Sequence, residues 1–563
     1  IRDLIVTGVQ TCALPIWGRR RSVGTRDEQA KHAPVLRSVA VVGFMTGVSR
    51  LLGLFREWLM AYFFGTSLQK SAFDVAFRIP NLFRRLFGEG ALSAAFIPVY
   101  TETLEAKGKD EANRLASRIA GFLVAVLGTI TALGILLSFG LQHALPPSDR
   151  ADAVYPLLRI TLFYAPLICL AALGIGILNT LRQFAVSALV PVYLNLVWIA
   201  ALVGICPFVS DDLDVRIGVV AWSTLAAGLV QVGVLIPPLR KQGVPLRIAF
   251  DWLGDPAVHS VLRLSIPMAF AMGAVQINLF IDGLLALYAG TWGPSALEYA
   301  ERVTYLPMGL VGTAFGTVLL PTFAKQAADK DHEALRATLE RSLRTLTVLV
   351  APMSVGLTVL ALPIINLLYA WHSGKFDAES ALYSSRALMG YAPGLLAFSY
   401  LKTLTPAYYA LKDMRTPLRC SVICVAVNLC LNLLFVFTWP AGWKHVGLAV
   451  ATVISSTLNC LILAVVLRAK LHLPQLHLFG AALIRLIAFA LLMGASALFV
   501  QIELSRLLTR AGWMYKVVEL LSVSGAVAVG AAVYGALLLA FGRQELADLV
   551  EDIRGRRSRR RGK

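Results

Sequence analysis

The sequence predicts an all-α protein that crosses a membrane many times, and three observations support this fold class. Hydrophobic residues make up 57% of the 563 residues and charged residues only 15%, whereas ordinary soluble domains carry about 25% charged residues. Apolar runs of about 20 residues, long enough to span a bilayer as a helix, recur along the chain. The net charge of +19 is concentrated in the termini and in short loops. This distribution follows the positive-inside rule and argues against nucleic-acid binding.

Fourteen apolar runs are bounded by charged residues, Pro or Gly, and each predicts a spanning helix. They cover residues 37–62, 75–100, 118–144, 154–178, 185–207, 217–238, 260–289, 298–322, 344–370, 385–411, 417–438, 446–467, 480–502 and 516–541. Alternate loops are rich in Lys and Arg, notably 107–118, 240–247, 325–344 and 412–419. An even number of helices places both basic termini on one side, which the loop charges predict to be cytoplasmic.

An internal repeat relates the first six helices to the next six. "AFRIPNLFRRLFGEGALSAAFIPVYTE" aligns with "YAERVTYLPMGLVGTAFGTVLLPTFAK", and "LNTLRQFAVSALVP" echoes "YYALKDMRTPL". The repeat predicts two parallel lobes with substrate held between them. The predicted domains are a non-native or disordered extension (1–35), an N-lobe (36–240), a C-lobe (241–470), two further helices (471–541) and a basic cytoplasmic tail (542–563).

Charged residues inside the apolar runs are the candidate functional residues. A charge at mid-helix costs roughly 2.5–3.5 kcal/mol, so these side chains face a wet cavity, pair with each other or reach the membrane interface. The sequence leaves these three alternatives open. Because Arg binds phosphate with two parallel hydrogen bonds, a cationic cavity favours an anionic substrate. The set comprises Arg50, Arg56, Glu57, Arg78, Arg84, Arg85, Glu89, Glu301 and Arg302.

A second group has the oxygen ligands that a coupling cation requires. Asp282 is a lone carboxylate deep in the seventh predicted helix, and Asn428 and Asn432 lie one turn apart on the eleventh. If they meet, they form a monovalent-cation site; the alternative is an Asp near a helix end that bonds to its neighbours. The seven Cys and eight His have no metal-ligand spacing, so we expect no metal and no cofactor. The sequence contains no P-loop or nucleophile elbow, which favours a secondary transporter over a pump or an enzyme.

The stretches "SRLLGLFRE" and "KDMRTPL", together with the two repeat segments quoted above, resemble the MurJ/MviN family of lipid II flippases over about residues 36–541. That family belongs to the multidrug/oligosaccharidyl-lipid/polysaccharide exporter superfamily. The resemblance implies fourteen helices, two six-helix lobes and a bacterial inner-membrane location. It also implies transport of an undecaprenyl-diphosphate-linked peptidoglycan precursor from the cytoplasmic to the periplasmic leaflet for cell-wall synthesis.

The resemblance also implies roles for individual residues. The family's cavity arginines, which surround the diphosphate and sugar head group, carry over to Arg50, Arg56, Arg84 and Arg302. Ser71 stands where the family commonly has Asp, and Asp74 follows three residues later on the same helix face. The supporting set is Arg78, Asp74, Glu89 and Glu301. The last two helices are implied to form a groove for the lipid tail.

Two other functions remain open. The same arginines suit a flippase for another polyprenyl-diphosphate glycan of the O-antigen or capsule type. A non-transporting scaffold that binds the lipid precursor and recruits cell-wall synthesis proteins would need no movement between lobes. A drug or cation antiporter is disfavoured, because an organic cation would require carboxylates in the cavity. We expect membrane lipids as further partners and a contribution of the membrane potential to transport.

Overall fold

The computed structural model describes residues 26–88, 91–245, 247–371, 374–471, 481–543 and 545–546. Within those ranges the regular secondary structure is entirely helical, as the composition predicts. The contacts divide the chain into two compact units, Ile1–Gly283 and Leu284–Lys563. The division falls inside one helix, α10 (Pro256–Ala289). Each unit is described separately.

The first unit is built from ten helices and one π-helical segment, counted over the described residues. They are α1 (Arg26–Phe64), α2 (Leu68–Phe83), π1 (Arg84–Gly88), α3 (Ala91–Lys107), α4 (Lys109–Ala144), α5 (Asp149–Thr161), α6 (Tyr164–Thr180), α7 (Phe184–Gly204), α8 (Cys206–Val209), α9 (Leu213–Lys241) and most of α10 (Pro256–Ala289).

The described part of the second unit also consists of helices with one π-helical segment. It contains α11 (Gly293–Pro307), π2 (Met308–Gly312), α12 (Thr313–Ala328), α13 (His332–Val359), α14 (Ala361–Tyr369), α15 (Ala378–Tyr391), α16 (Leu395–Ala410), α17 (Arg415–Thr438), α18 (Lys444–Lys470), α19 (Ala481–Arg510) and α20 (Tyr515–Phe541).

Nine helices in the described ranges are long and apolar enough to cross a membrane. They include α4, α9, α13, α17, α19 and α20, and the joined pairs α5–α6 and α7–α8. The predicted runs at 75–100 and 298–322 are each interrupted by a π-helical segment, and the run at 385–411 is interrupted by a single 3₁₀ turn. The helical, multi-pass character of the chain is therefore confirmed, while the count of fourteen spans stays a prediction.

Buried polar side chains join the helices of the first unit. Tyr164 of α6 donates to Gln231 of α9 over 3.1 Å, and Gln231 in turn donates to the Val190 carbonyl of α7 over 3.0 Å. Asn195 of α7 donates to the Ser49 carbonyl of α1 over 3.1 Å. Inside an apolar environment an unmade hydrogen bond is costly, so such bonds fix the positions of neighbouring helices.

The second unit is fixed in a similar way around α13. Tyr534 of α20 donates to the Val348 carbonyl over 3.1 Å, and the Tyr400 and Thr347 hydroxyls lie 2.5 Å apart. Ser354 donates to the Ala392 carbonyl over 2.7 Å. The side chains around these bonds are apolar and buried. The last two helices therefore pack on α13 as part of one core.

Two pairs of backbone features recur at the positions that the sequence repeat aligns. The segments π1 and π2 occupy matching places in the two long repeat motifs. In the shorter match, Arg182 ends α6 with φ of 61° and Lys412 ends α16 with φ of 58°. Both residues are in the left-handed region that non-glycine residues seldom adopt. The aligned sequences thus share these two uncommon backbone features.

Candidate functional site

The first turns of α2 contain a buried ion pair. Ser67 caps the helix by accepting from the Lys70 backbone N–H at 3.3 Å. Lys70 Nζ lies 2.5 Å from Asp74 Oδ1, and the two residues are only 1% and 6% exposed. The predicted runs at 37–62 and 75–100 left Lys70 in the loop between them, and this prediction was wrong, because α2 begins at Leu68. The spacing of four residues after a Ser cap was the signal available in the sequence.

Arg56 of α1 is also buried and paired. Its Nη2 lies 2.5 Å from Glu57 Oε1, and its guanidinium carbon is 4.6 Å from the centre of the Trp198 ring. The Nε atom of Arg56 is buried and donates to no acceptor in the described part of the chain. Arg50, two turns earlier on α1, is exposed. The three alternatives for these charges were a wet cavity, pairing with another charge and the membrane interface. In this structure Arg56 is paired with another charge.

Arg78 joins α2 to the helix that carries Asp282. Its Nη1 donates to the Leu279 carbonyl over 2.6 Å. A Cβ added at Gly283 would lie 2.8 Å from the same nitrogen, so glycine leaves the space for the guanidinium. Asp282 lies between these two contacts and is half-buried, with its Oδ2 accepting from Asn278 at 3.3 Å. The structure therefore places Arg78 beside the turn that bears the candidate cation ligand.

Two arginines lie where α2 passes into π1. Arg84 Nε donates to Asn81 Oδ1 over 2.8 Å, and Arg85 Nη1 lies 3.4 Å from Gln276 Oε1 of α10. Both side chains are half-buried. A π-helical turn is rare and is found mostly at functional sites. Glu89, another predicted site residue, lies outside the described residues.

In the second unit, Arg302 lies near the start of its repeat segment, as Arg78 does in the first. Its side chain is 43% exposed and its Nη2 lies 3.3 Å from Glu298, one turn earlier on α11. The neighbouring Glu301 is half-buried. On α17, Asn432 donates to Asn428 Oδ1 over 3.1 Å, and both residues are buried. The two amides therefore bond to each other, while their meeting with Asp282 stays a prediction.

A cluster of ion pairs that the sequence did not single out joins α4 to the residues that precede α10 in the first unit. Arg118 Nη1 lies 2.6 Å from Asp255, and its Nη2 lies 2.8 Å from Asp251. The hydrogen bond from Arg118 holds the pKa of Asp251 below its ordinary value. Burial alone would raise the pKa of Asp255, but bonds from the Ala257 N–H and Arg118 outweigh it and lower that pKa. Both carboxylates are therefore charged at neutral pH and hold the segment 243–255 against α4.

These features define a class of protein. Buried ion pairs lie in α1 and α2, and nine other helices of the described ranges are long and apolar enough to cross a membrane. Multi-pass transporters combine such features, because an intramembrane charge is retained where it has a function. The fold agrees with this class. A solved structure titled "Lipid II flippase MurJ, inward closed conformation" superposes with a TM-score of 0.71 at 24% identity, covering 90% of this chain and all of the other. An inward-facing multidrug-resistance MATE transporter of the MOP superfamily gives 0.60 at 14% identity, covering 77% of this chain and 96% of that one.

Sequence comparison identifies the family. The family model described as "Lipid II flippase MurJ" matches residues 60–515. A probable lipid II flippase MurJ of Vibrio cholerae is 34% identical over 90% of this chain and 96% of its own length. The lipid II flippase MurJ of Burkholderia cenocepacia is 34% identical over 80% of this chain and 88% of its own. The chain belongs to the MurJ family of lipid II flippases.

Proposed function

We infer that this protein is a lipid II flippase of the inner membrane, a transporter rather than an enzyme. The observation that carries this inference is the alignment with lipid II flippases at 34% identity along 96% and 88% of their lengths. The apolar helices are consistent with a multi-pass membrane protein. The substrate, a polyprenyl diphosphate bearing a glycopeptide, would move from the cytoplasmic to the periplasmic leaflet. Lipid II transport serves peptidoglycan synthesis.

We propose fourteen spanning helices arranged as two six-helix lobes plus a C-terminal pair. The matched π segments and the matched left-handed residues Arg182 and Lys412 support an origin by duplication. Parallel repeats of six helices are a known transporter plan, in which the lobes rock about a central substrate. In this proposal both termini are cytoplasmic, as the loop charges predict.

The proposed head-group site consists of Arg50, Arg56, Arg84 and Arg302, assisted by Arg78, Asp74, Glu89 and Glu301. Each diphosphate oxygen would accept charge-assisted hydrogen bonds from a guanidinium. Arg50 and Arg302 are exposed and therefore accessible to such a ligand. Arg56 is held by Glu57 and Trp198, but its Nε–H is still available as a donor. The polyprenyl tail would remain in lipid beside residues 481–541.

Energy for transport would come from the membrane potential and a monovalent cation. A negative head group moving outward follows a negative-inside potential, worth roughly 2.3 kcal/mol per charge per 100 mV. Asp282 with Asn428 and Asn432 is the proposed cation site, because all three supply oxygen ligands. Flux that is unchanged after the potential is collapsed would remove the electrical part of this proposal.

The test is complementation of cells depleted of their own lipid II flippase. The parent chain is compared with Arg50→Ala, Arg84→Ala and Arg302→Ala at matched expression. Arg114→Ala is the control, because that side chain is 64% exposed and pairs with Glu111 on a helix outside the proposed site. We expect rescue by the parent and the control but not by the three site variants. Rescue by all variants would reduce these arginines to structural residues.

The same assay separates the remaining alternatives. A parent chain that inserts correctly but fails to rescue would point to another polyprenyl-linked glycan of the O-antigen or capsule type. A scaffold that recruits cell-wall synthesis proteins would keep its function when the two lobes are locked by a cross-link. A flippase that works by alternating access would lose it.

A further inference from the structure

A cavity in the second unit lies away from the proposed head-group residues. It has a volume of about 440 Å³ and is enclosed by α14, the C-terminal half of α19 and the N-terminal half of α20. One wall is apolar and includes Leu362, Leu498 and Val518. Another part of the lining, the polar wall, carries Ser505, Thr509 and Glu519. The cavity is therefore amphipathic and has the size of a small-ligand site.

Glu519 is the central feature of the polar wall. It is 9% exposed, and its Oε1 accepts from the Tyr515 hydroxyl at 2.6 Å. Its Oε2 is buried and accepts no hydrogen bond from the residues that the structure describes. The nearest cation is Lys516, whose Nζ lies 3.5 Å from Oε2. A buried carboxylate oxygen without a donor is costly, so this oxygen needs a ligand that donates a hydrogen bond.

Lys516 is held by other groups and does not fill this role. Its Nζ donates to the Asn366 carbonyl over 2.7 Å and lies 5.4 Å from the centre of the Trp371 ring. A carbonyl and an aromatic face both attract the ammonium group. The carboxylate and the ammonium thus form a loose ion pair of 3.5 Å beside the cavity, in which Glu519 Oε2 accepts no hydrogen bond from the described residues.

The turn between α19 and α20 indicates where the cavity lies in the bilayer. Trp513, Met514 and Tyr515 are 53%, 74% and 54% exposed. Exposed aromatic residues at a helix end are typical of the membrane interface. The polar wall is therefore at the depth of lipid head groups, while the apolar wall faces the start of the acyl chains.

We propose that this cavity binds a resident phospholipid with a primary ammonium head group, of the phosphatidylethanolamine type. Its ammonium would donate to Glu519 Oε2, its phosphate would lie by Lys516 and the Ser505 and Thr509 hydroxyls, and one acyl chain would follow Leu362 and Leu498. A zwitterionic head group matches one negative and one positive group. This lipid is bound rather than transported.

Native mass spectrometry of the full chain, with phosphatidylethanolamine or phosphatidylcholine added, tests the proposal. The choline head group has the same charge but no N–H donor. We expect the parent to retain the ethanolamine lipid in preference, and Glu519→Gln to lose roughly tenfold in affinity for it, the effect of one charge-assisted hydrogen bond. Glu503→Gln is the control, because Glu503 is on α19, pairs with Arg506 and does not line the cavity.

A second variant and a stability measurement keep the test independent of folding defects. Leu498→Trp fills the cavity from the apolar wall and should abolish lipid retention while leaving Glu519 intact. In lipid-free detergent, Glu519→Gln should be as stable as the parent but should lose the stabilisation that the ethanolamine lipid gives. Equal retention of both lipids by the parent, or undiminished retention by Glu519→Gln, would overturn the proposal. An equal thermal shift with soluble phosphoethanolamine would assign the cavity to a soluble amine and overturn the lipid assignment.

Discussion

Gly121 is the position at which a single methyl group should detach the segment 243–255 from α4. A Cβ built at Gly121 would lie 1.8 Å from the Ala249 carbonyl oxygen and 2.6 Å from its carbon. This is a backbone contact, so no side-chain rotation relieves it. The carbonyl would have to retreat by about 1.6 Å to reach the ordinary contact distance of 3.4 Å.

Such a shift acts on the bonds that surround it. The Ala249 N–H donates to the Ser117 carbonyl over 3.1 Å, and Asp251 follows two residues later with its bonds to Arg118. Losing the backbone bond costs about 1 kcal/mol, weakening the exposed ion pair adds about 0.5 kcal/mol, and residual overpacking adds about 1–3 kcal/mol. The higher helix propensity of Ala than of Gly offsets about 0.5–1 kcal/mol of this loss of stability. We therefore expect Gly121→Ala to destabilise the protein by about 1.5–4 kcal/mol.

A second glycine on the same helix provides the control for this prediction. Gly128 is also on α4 and has nothing within 4 Å of an added Cβ, so Gly128→Ala should be neutral or slightly stabilising. Thermal unfolding in nanodiscs measures the difference. Trypsin cleavage after Arg247, an exposed residue of the segment, reports its release. Equal stability and equal cleavage rates for the two variants would refute the reasoning.

Three further outcomes are expected. Lys70→Met should lower the free energy of unfolding by about 3–5 kcal/mol, because it leaves Asp74 buried without its cation. The double variant Lys70→Met with Asp74→Leu should lose clearly less stability. Additive losses of stability in a double-mutant cycle would contradict this prediction. Burial raises the pKa of Asp413, but bonds from Lys470 and Thr416 outweigh it and hold that pKa at about 2. Because the pKa of Asp413 is lowered on folding, its contribution to stability is complete above about pH 4 and is lost as the pH falls through about 2. Asp413→Asn should therefore reduce the dependence of the unfolding free energy on pH between these values. An unchanged dependence on pH would count against this prediction. Gly293→Ala should lower the melting temperature strongly, because its Cβ would lie 2.1 Å from the Ala286 carbonyl oxygen; Gly535→Ala, with open space, is the control.

Arg56 and Arg78 differ in how far their contacts can be predicted from the sequence. Arg56 pairs with its sequence neighbour Glu57, yet the ring beneath it, Trp198, comes from another helix. Arg78 donates its hydrogen bond to the backbone carbonyl of Leu279, on another helix. The placement of these arginines on helices could be predicted from the sequence, because a long apolar run surrounds each one. Their contacts could not be predicted, since those depend on which helices become neighbours.

The sequence by itself determined the class of protein, its helical fold and its family, because composition, the length of apolar runs and the motif around Arg84 are local properties of the chain. It also indicated the repeat, whose counterparts π1 and π2 have the same uncommon backbone. Only the tertiary structure revealed the buried position of Lys70, the clamp of Arg118 on the segment 243–255, and the cavity beside Glu519. The clamp and the cavity depend on residues far apart in sequence, and burial depends on where a helix begins and what packs against it. Such properties are fixed by packing in three dimensions and leave little trace in the order of residues.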